Sequence, residues 1–442
     1  MFDLILRQGT IVNHAGSGIA DIGVRAGRIA AIGDLGSAAS ASIFDARHLH
    51  VLPGCIDTQV HFREPGNPHK EDLASGCAAA ALGGITAVFE MPNTKPSTTT
   101  PELIAAKVQA AAGRAWVDHA FYLGGCAENA DQLGAWERSP GCCGVKVFLG
   151  SSTGSLLVED DVTLERILTS VRRRMAVHSE DEARLRERRL LIPAGADARW
   201  HPQWRDEETA LISTQRLLAA ARRHRRQVHV LHVTTAAEMD LLRENKDIAT
   251  VEVLPQHLTL AAPECYERLG NYAQMNPPIR DARHQAALWT ALRDGTVDVL
   301  GSDHAPHTRE EKDQTYPLSP SGMPGVQTLL PLMLDHVHHG RLSLGRLVDL
   351  LCHGPQRLFG LVGKGRIAAG YDADFTVVDL ACKHTITDAE QASRCGWTPF
   401  AGLSVTGFPV ATVIRGETVM RDGQLIGAPR GRPLRFMDTL GG

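Results

Sequence analysis

The chain lacks most features that would take it out of an ordinary metabolic setting. Its nine cysteines form no CxxC pair; Cys142 and Cys143 are adjacent, and most of the others sit in apolar runs. We read them as reduced, buried thiols of a cytoplasmic protein, not as a disulfide frame. No apolar run is long enough to span a bilayer, and the start, MFDLILRQGT, has neither the charged region nor the long apolar core of a signal peptide. A soluble, cytoplasmic protein with no membrane partner is expected. A cationic excess is missing too: the formal net charge is -4, which leaves no electrostatic footprint for nucleic acid. The clusters RRR at Arg172–Arg174 and RRHRR at Arg222–Arg226 close helix-like segments, where cations complement the helix dipole at a solvated end.

What is present is an ordinary globular composition at some length. The 442 residues are 43% hydrophobic and 22% charged, with 42 glycines, enough for two domains or one large α/β barrel with an appendage. Residues 1–55 read as short alternating strands broken by glycines, in DLILRQGTIV, DIGVRAGRIAAIG and IFDARHLHVLPG. The same style resumes near residue 365, in GRIAAGYDADFTVVDL and ATVIRGETVMRDGQLIG. The pattern predicts one small composite β domain from residues 1–55 and 365–442.

Between them, β-rich runs alternate with helical patterns. The runs are IDTQVH, ITAVFEM, DHAFYLG, GVKVFLG, MAVHSE, VHVLHV, ATVEVLP and VDVLGSD, and the helix candidates include PELIAAKVQAAAG and EETALISTQRLLAAARR. Strands alternating with helices imply parallel βαβ units, and eight units close a (β/α)₈ barrel, here over residues 56–364. Chemistry in such a barrel sits where strands end and loops begin. At those points stand Gln59 and His61, Lys146, His178, His232 and Asp303. Any one of these has a bland reading, such as a core histidine or a turn-capping aspartate. Their coincidence at equivalent points of five strands points to a metal centre.

Two positions carry more detail. Read as a regular strand, IDTQVH puts Ile56, Thr58 and Val60 on one face and Asp57, Gln59 and His61 on the other. Gln59 and His61 could therefore share one ion. A protonated Lys146 would repel that ion, but burial favours a neutral amine, which takes up carbon dioxide to become an anionic carbamate ligand. A carbamate bridging two divalent ions would leave a water between them acidic enough to be hydroxide at neutral pH.

PGCIDTQVHFREPG, EMPNTKP, GVKVFLGSSTG and GSDHAPH, in this order, resemble the dihydroorotases of the cyclic amidohydrolase superfamily over nearly the whole chain. The resemblance implies a zinc-centred (β/α)₈ barrel that reversibly hydrolyses the cyclic amide of dihydroorotate to N-carbamoyl-aspartate, a step of pyrimidine synthesis. It implies His61 as ligand of the first zinc, Lys146 as the carboxylated bridge, and His178 and His232 as ligands of the second. Asp303 would be ligand and proton shuttle. Arg63, Asn93 and His307 match positions that hold the substrate carboxylate. Asn276, and the backbone around Ser321 and Gly322 up to Gly325, match positions that contact the ring. Gln59 departs from the pattern, which has histidine there, and Gln256 in VLPQHL departs at a position to which we assign no direct role.

An amide oxygen is a weaker zinc donor than an imidazole, so one tightly held zinc and a second, looser one are expected. Arg63, two residues after His61, can fork onto a carboxylate, which favours dihydroorotate over rings without one. Two readings compete with dihydroorotase. One is an amidohydrolase of another cyclic ureide, such as a hydantoin, a dihydropyrimidine or allantoin. The other is a catalytically silent homologue serving as partner of aspartate transcarbamoylase; the retained Lys146, His178, His232 and Asp303 argue against it. Oligomeric state, a homo-oligomer included, is left open.

Overall fold

The protein is described here by a computed structural model covering residues 1–151 and 156–440. The end of the GVKVFLGSSTG motif, residues 152–154, therefore lies outside the described residues. Five strands come first: β1 (Phe2–Asn13), β2 (Gly16–Arg25), β3 (Arg28–Gly33), β4 (Ser40–Asp45) and β5 (His50–Pro53). Eight follow: β6 (Cys55–Val60), β7 (Ile85–Glu90), β8 (Asp118–Gly124), β9 (Cys142–Phe148), β10 (Met175–His178), β11 (Val228–Val230), β12 (Ala249–Val253) and β13 (Val299–Leu300). The last four are β14 (Phe375–Thr385), β15 (Ser404–Ile414), β16 (Glu417–Arg421) and β17 (Gln424–Leu425).

β6 to β13 pair in sequence order in one eight-stranded sheet, parallel at every pairing. The ends meet through a parallel bridge between Val60 and His304, with the His61 N–H donating to the His304 carbonyl at 2.7 Å. This is the expected eight-stranded α/β barrel. The second sheet has nine strands from both chain ends: β5 joins β1 in parallel and β14 antiparallel. Residues 431–436 leave that sheet and cross the opposite end of the barrel: Gly431 donates to the Ala115 carbonyl, and Leu434 to His119. Leu434 and Phe436 join Ile56, Phe89 and Tyr122 in the barrel's inner core. Among the described residues no helix is long and apolar enough to cross a membrane.

Alternation along the strands decides which side chains reach the barrel interior. On β11 and β12, Val228, Val230, Val251 and Val253 pack outward with the helix layer, which turns His229 and Glu252 inward. On β10 the same rule sends Ala176 and His178 inward and Val177 outward. β6 breaks the rule. Ile56 lies in the inner core but Val60 in the outer one, and the pairing with β7 shifts register between Asp57 and Val60. The grouping of Ile56 with Val60 expected from regular alternation is therefore incorrect. A bulge at this point re-aims the chain, so Thr58 reaches inward to Glu252 while Gln59 and His61 still face the same site. The cationic clusters end helices as expected: Arg172 donates to the carbonyls of Thr169, Ser170 and Val171, and Arg225 takes a left-handed C-cap after Glu207–His224.

Candidate active site

At the strand-end rim of the barrel, the residues singled out in the sequence come together in two pairs with a lysine beside them. His61 Nε2 lies 3.1 Å from Asp303 Oδ1, and Gln59 Nε2 donates to the same oxygen at 3.0 Å. His178 Nδ1 and His232 Nε2 are 3.0 Å apart. Among the described residues no three His, Cys, Asp or Glu side chains converge as a ready metal cage. Two imidazole- or carboxylate-bearing pairs and a lysine would make such a cage only if Lys146 became an oxygen donor. Arg63, His232 and Asp303 all adopt left-handed backbone, with φ of 58°, 39° and 43°. Non-glycine residues bear that strain at a cost of about 1–3 kcal/mol each, and it gathers at functional sites.

The buried polar atoms without a hydrogen-bond partner support this reading. Lys146 Nζ, Gln59 Oε1 and His232 Nδ1 are three of them. Each presents lone pairs, or can do so once deprotonated, and buried polar groups are rarely left unsatisfied. Burial brings the Lys146 amine down to about 7, against the opposing pull of Asp303 and Glu252, so a substantial neutral fraction exists at physiological pH. Among the described residues the ammonium has no carboxylate within ion-pair distance; it sits 4.5 Å from the Phe148 ring centre. Burial also lowers His61, His178 and His232, keeping their imidazoles neutral and able to act as ligands. His61 Nδ1 meets Asn93 Oδ1 at 2.8 Å, so Asn93 fixes the tautomer that frees Nε2 toward Asp303. The donor set thus fits divalent ions.

Further buried contacts hold these candidate ligands in place, and no sequence motif pointed to them. Glu180 Oε2 lies 2.8 Å from His178 Nε2 and is gripped by Arg205. Burial alone would raise Glu180, but Arg205 and His178 outweigh it and hold the carboxyl well below the usual range. The signal was visible as a glutamate two residues beyond His178. Glu252, pushed up to about 8 by burial, accepts from Thr58 at 2.9 Å. Gln256, which we had given no direct role, donates to the Ser302 carbonyl at 2.7 Å, one residue before Asp303.

The residues matched by resemblance to the substrate side form a cationic mouth. Arg63 is buried; its Nε donates to the Pro306 carbonyl at 3.1 Å and its Nη2 lies 3.3 Å from His307 Nε2. Among the described residues it has no carboxylate ion-pair partner within 4.0 Å. Burial lowers it to about 10, still cationic near neutrality. His307, brought to about 3 by burial and by Arg63, is neutral. Its Nε2 faces the Ser321 carbonyl at 3.1 Å and its Nδ1 faces the Lys70 ammonium at 3.1 Å, which assigns the proton to Nε2. Lys70 in turn pairs with Glu311 at 2.7 Å. Asn276 is held through its Oδ1 by His201 Nε2 at 2.9 Å, so its amide N–H groups face away from that contact. Gly322 donates to the Gln274 carbonyl at 2.8 Å, and Gln274 Nε2 reaches Ser321 Oγ at 3.1 Å. A cavity of about 420 Å³ opens beside Asn276, Ser321 and Arg205. Lys70, His201 and Glu311 belong to no motif we had marked.

Comparison with known proteins agrees on the class and divides on the ring. The amidohydrolase family model matches residues 50–419. The dihydroorotase of Methanosarcina mazei is 35% identical over 437 residues, covering 96% of this chain and 94% of that protein. The allantoinase of Deinococcus radiodurans is 34% identical over 445 residues, covering 98% of each. Among solved structures, the L-hydantoinase (dihydropyrimidinase) from Arthrobacter aurescens superposes with a TM-score of 0.93 at 30% identity, covering 98% of this chain and 100% of that one.

Proposed function

The chain belongs to the amidohydrolase family, and from that premise we propose that it is a zinc-dependent dihydroorotase, opening the ring amide of dihydroorotate to N-carbamoyl-aspartate and closing it again in pyrimidine synthesis. Cyclic-amide hydrolysis is the part that its relatives share. The choice of ring rests on one observation: a buried Arg63 guanidinium with no carboxylate partner among the described residues, at the mouth of the site beside His307. A buried cation lacking its counter-ion is costly unless a ligand supplies the charge. Dihydroorotate carries a ring carboxylate; hydantoin, dihydrouracil and allantoin do not.

His61, Lys146 as its carbamate, His178, His232 and Asp303 would hold the zinc, with Gln59 Oε1 as a weaker donor. Bound zinc supplies Lewis acidity and lowers the pKa of water. The protein's own part is positional. Asn93 orients His61, and Glu180 orients His178. Both contacts to Asp303 fall on Oδ1, and we assign Oδ2 to taking the proton from the attacking water and passing it to the leaving ring nitrogen. Arg63 would fork onto the ring carboxylate, with Asn276 directing its amide at the ring.

Turnover of dihydroorotate, hydantoin, dihydrouracil and allantoin, with metal content measured on the same sample, tests this. Dihydroorotate should be the preferred substrate. Preference for an uncharged ring would move the protein to another cyclic ureide, and a chain with neither metal nor turnover would be the silent homologue.

A further inference from the structure

Lys312 ends the short helix Arg309–Lys312, and its side chain is fully buried. Its ammonium is enclosed by three carbonyl oxygens: Pro320 at 2.8 Å, Gly322 at 3.1 Å and Gln274 at 3.4 Å. A lysine ammonium has three donors and no acceptor, so this cage uses all of it. Among the described residues no carboxylate joins them. The adjacent Glu311 turns to Lys70 and His307 instead. An apolar side chain of this volume would fill the space without the cost of burying a charge, so bulk packing does not account for a lysine here.

The three carbonyls belong to the two segments that frame the ring side of the site. Gln274 lies two residues before Asn276, and Pro320 and Gly322 flank Ser321. The same segments are also tied by Gly322 N–H to the Gln274 carbonyl and by Gln274 Nε2 to the Ser319 carbonyl at 3.1 Å. Without a donor at the centre, three carbonyl dipoles would converge with their negative ends together. At Gly322 (φ +136°) a Cβ would stand 2.5 Å from the Ala305 carbonyl, so this segment already runs as close to the Asp303–His307 loop as a backbone can.

We propose that Lys312 is the positioning residue of the substrate pocket, holding segments 274–276 and 319–322 in the one arrangement that meets the ring. This rests on the pocket assignment made under Proposed function.

The grip should depend on pH. Burial pushes the Lys312 amine down to about 7, opposed by Glu311. The charged and titratable groups around it are Glu311 and Asp313 on its own segment, Lys70, Arg63 and His307 across the mouth, and Tyr272, which donates to Asp313; the Trp397 ring packs at 6.0 Å. His307 is already neutral, and Glu311, raised by burial but lowered more by His307 and Lys70, stays well below the carboxylate range. Above about pH 7, a neutral Lys312 offers two N–H groups and a lone pair to three carbonyls, and the cage loosens. Global stability moves the other way: a folded pKa below the unfolded one penalises the fold below about 7, and the penalty is relieved as pH rises toward about 10.4.

Lys312→Met keeps the volume and removes the donors. In metal-loaded protein at about pH 6.5, hydrogen exchange in peptides covering 270–276 and 317–325 should speed up by about tenfold or more, with metal content and the exchange of β8 and β9 unchanged. KM for whichever ring the parent turns over should rise about tenfold with kcat within about threefold. In the parent, KM should climb from about pH 6 to 8.5, and in the variant it should stay flat. Because exchange needs no substrate, failure of dihydroorotate turnover would count against the functional reading alone. Unchanged exchange in the two segments, or a parent KM that is flat with pH, overturns the proposal. Should Lys312→Met not fold, Lys312→Gln carries the same exchange test, and loss of protection spread over the whole barrel in that variant also overturns it.

Discussion

Replacing Arg63 with lysine keeps a cation at the mouth of the site and removes the planar fork. In the parent, Nε is occupied by the Pro306 carbonyl at 3.1 Å and Nη2 stands 3.3 Å from His307, so the outer edge of the guanidinium is the part that can meet a carboxylate. Burial brings Arg63 to about 10, and it remains charged at assay pH; the change is one of geometry more than of charge. A lysine cannot anchor on Pro306 and reach the substrate at once. A hydrogen bond to a charged group is worth about 1.5–3 kcal/mol, and about 1.4 kcal/mol is tenfold. The kcat/KM for dihydroorotate should therefore fall by about 10- to 150-fold in Arg63→Lys, mostly through KM. Steady-state kinetics on dihydroorotate and hydantoin, with zinc measured in both proteins, checks this. Slow hydantoin turnover should change little, because that ring has no carboxylate to lose. An equal loss on both rings, or none on dihydroorotate, would refute the assignment of Arg63 to the substrate carboxylate.

Asp303→Ala should lower turnover by about two to four orders of magnitude at unchanged fold, as judged by circular dichroism, the usual scale for losing a general acid–base; activity within a few-fold of the parent would remove Asp303 from the proton path. Dialysis against a chelator should strip one zinc per chain faster than the other, and Gln59→His should slow the loss of the looser one; two equally tight metals in the parent would contradict the weak-donor reading. Reactivation of stripped protein by zinc at constant dissolved carbon dioxide should be about tenfold faster at pH 8 than at pH 6, because only the neutral Lys146 amine forms the carbamate and its pKa lies at about 7. A rate independent of pH over that range would argue against carboxylation.

The barrel was legible because its signal is periodic. Eight apolar runs alternating with helices allow few other folds, and each of the eight runs named from sequence overlaps an observed strand. Six contain theirs whole, while β6 and β9 begin one and two residues earlier than the runs IDTQVH and GVKVFLG. The motif residues were legible because a closed barrel brings strand ends together whatever the sequence between them. What could not be read were contacts made by residues without a motif. Lys70, His201, Glu311 and Lys312 act largely through partners far along the chain, such as Lys312 with Gln274, 38 positions away, and Lys70 with His307, 237 positions away. No local pattern announces such a pairing. The bulge in β6 was hidden for a related reason: IDTQVH alternates well enough as text, and only the pairing with β7 shows the register shift.

That bulge also changes what Gln59 means. As a defective histidine it would contribute a weak bond to one ion and nothing else. In the structure its amide does two things at once: Nε2 donates to Asp303 Oδ1 at 3.0 Å, while Oε1 is buried with no hydrogen-bond partner among the described residues. A neutral imidazole has one donor and one acceptor on opposite sides of a rigid ring, whereas an amide carries both on one sp² carbon. Only the amide can hold the proposed proton carrier and still turn a lone pair toward a shared ion in the same small space. The residue that looked like a lost ligand is thus tied to the aspartate that we assign to the chemistry. A glutamine at this position is compatible with a working site, because the set proposed for the second zinc, His178, His232 and carboxylated Lys146, does not include it.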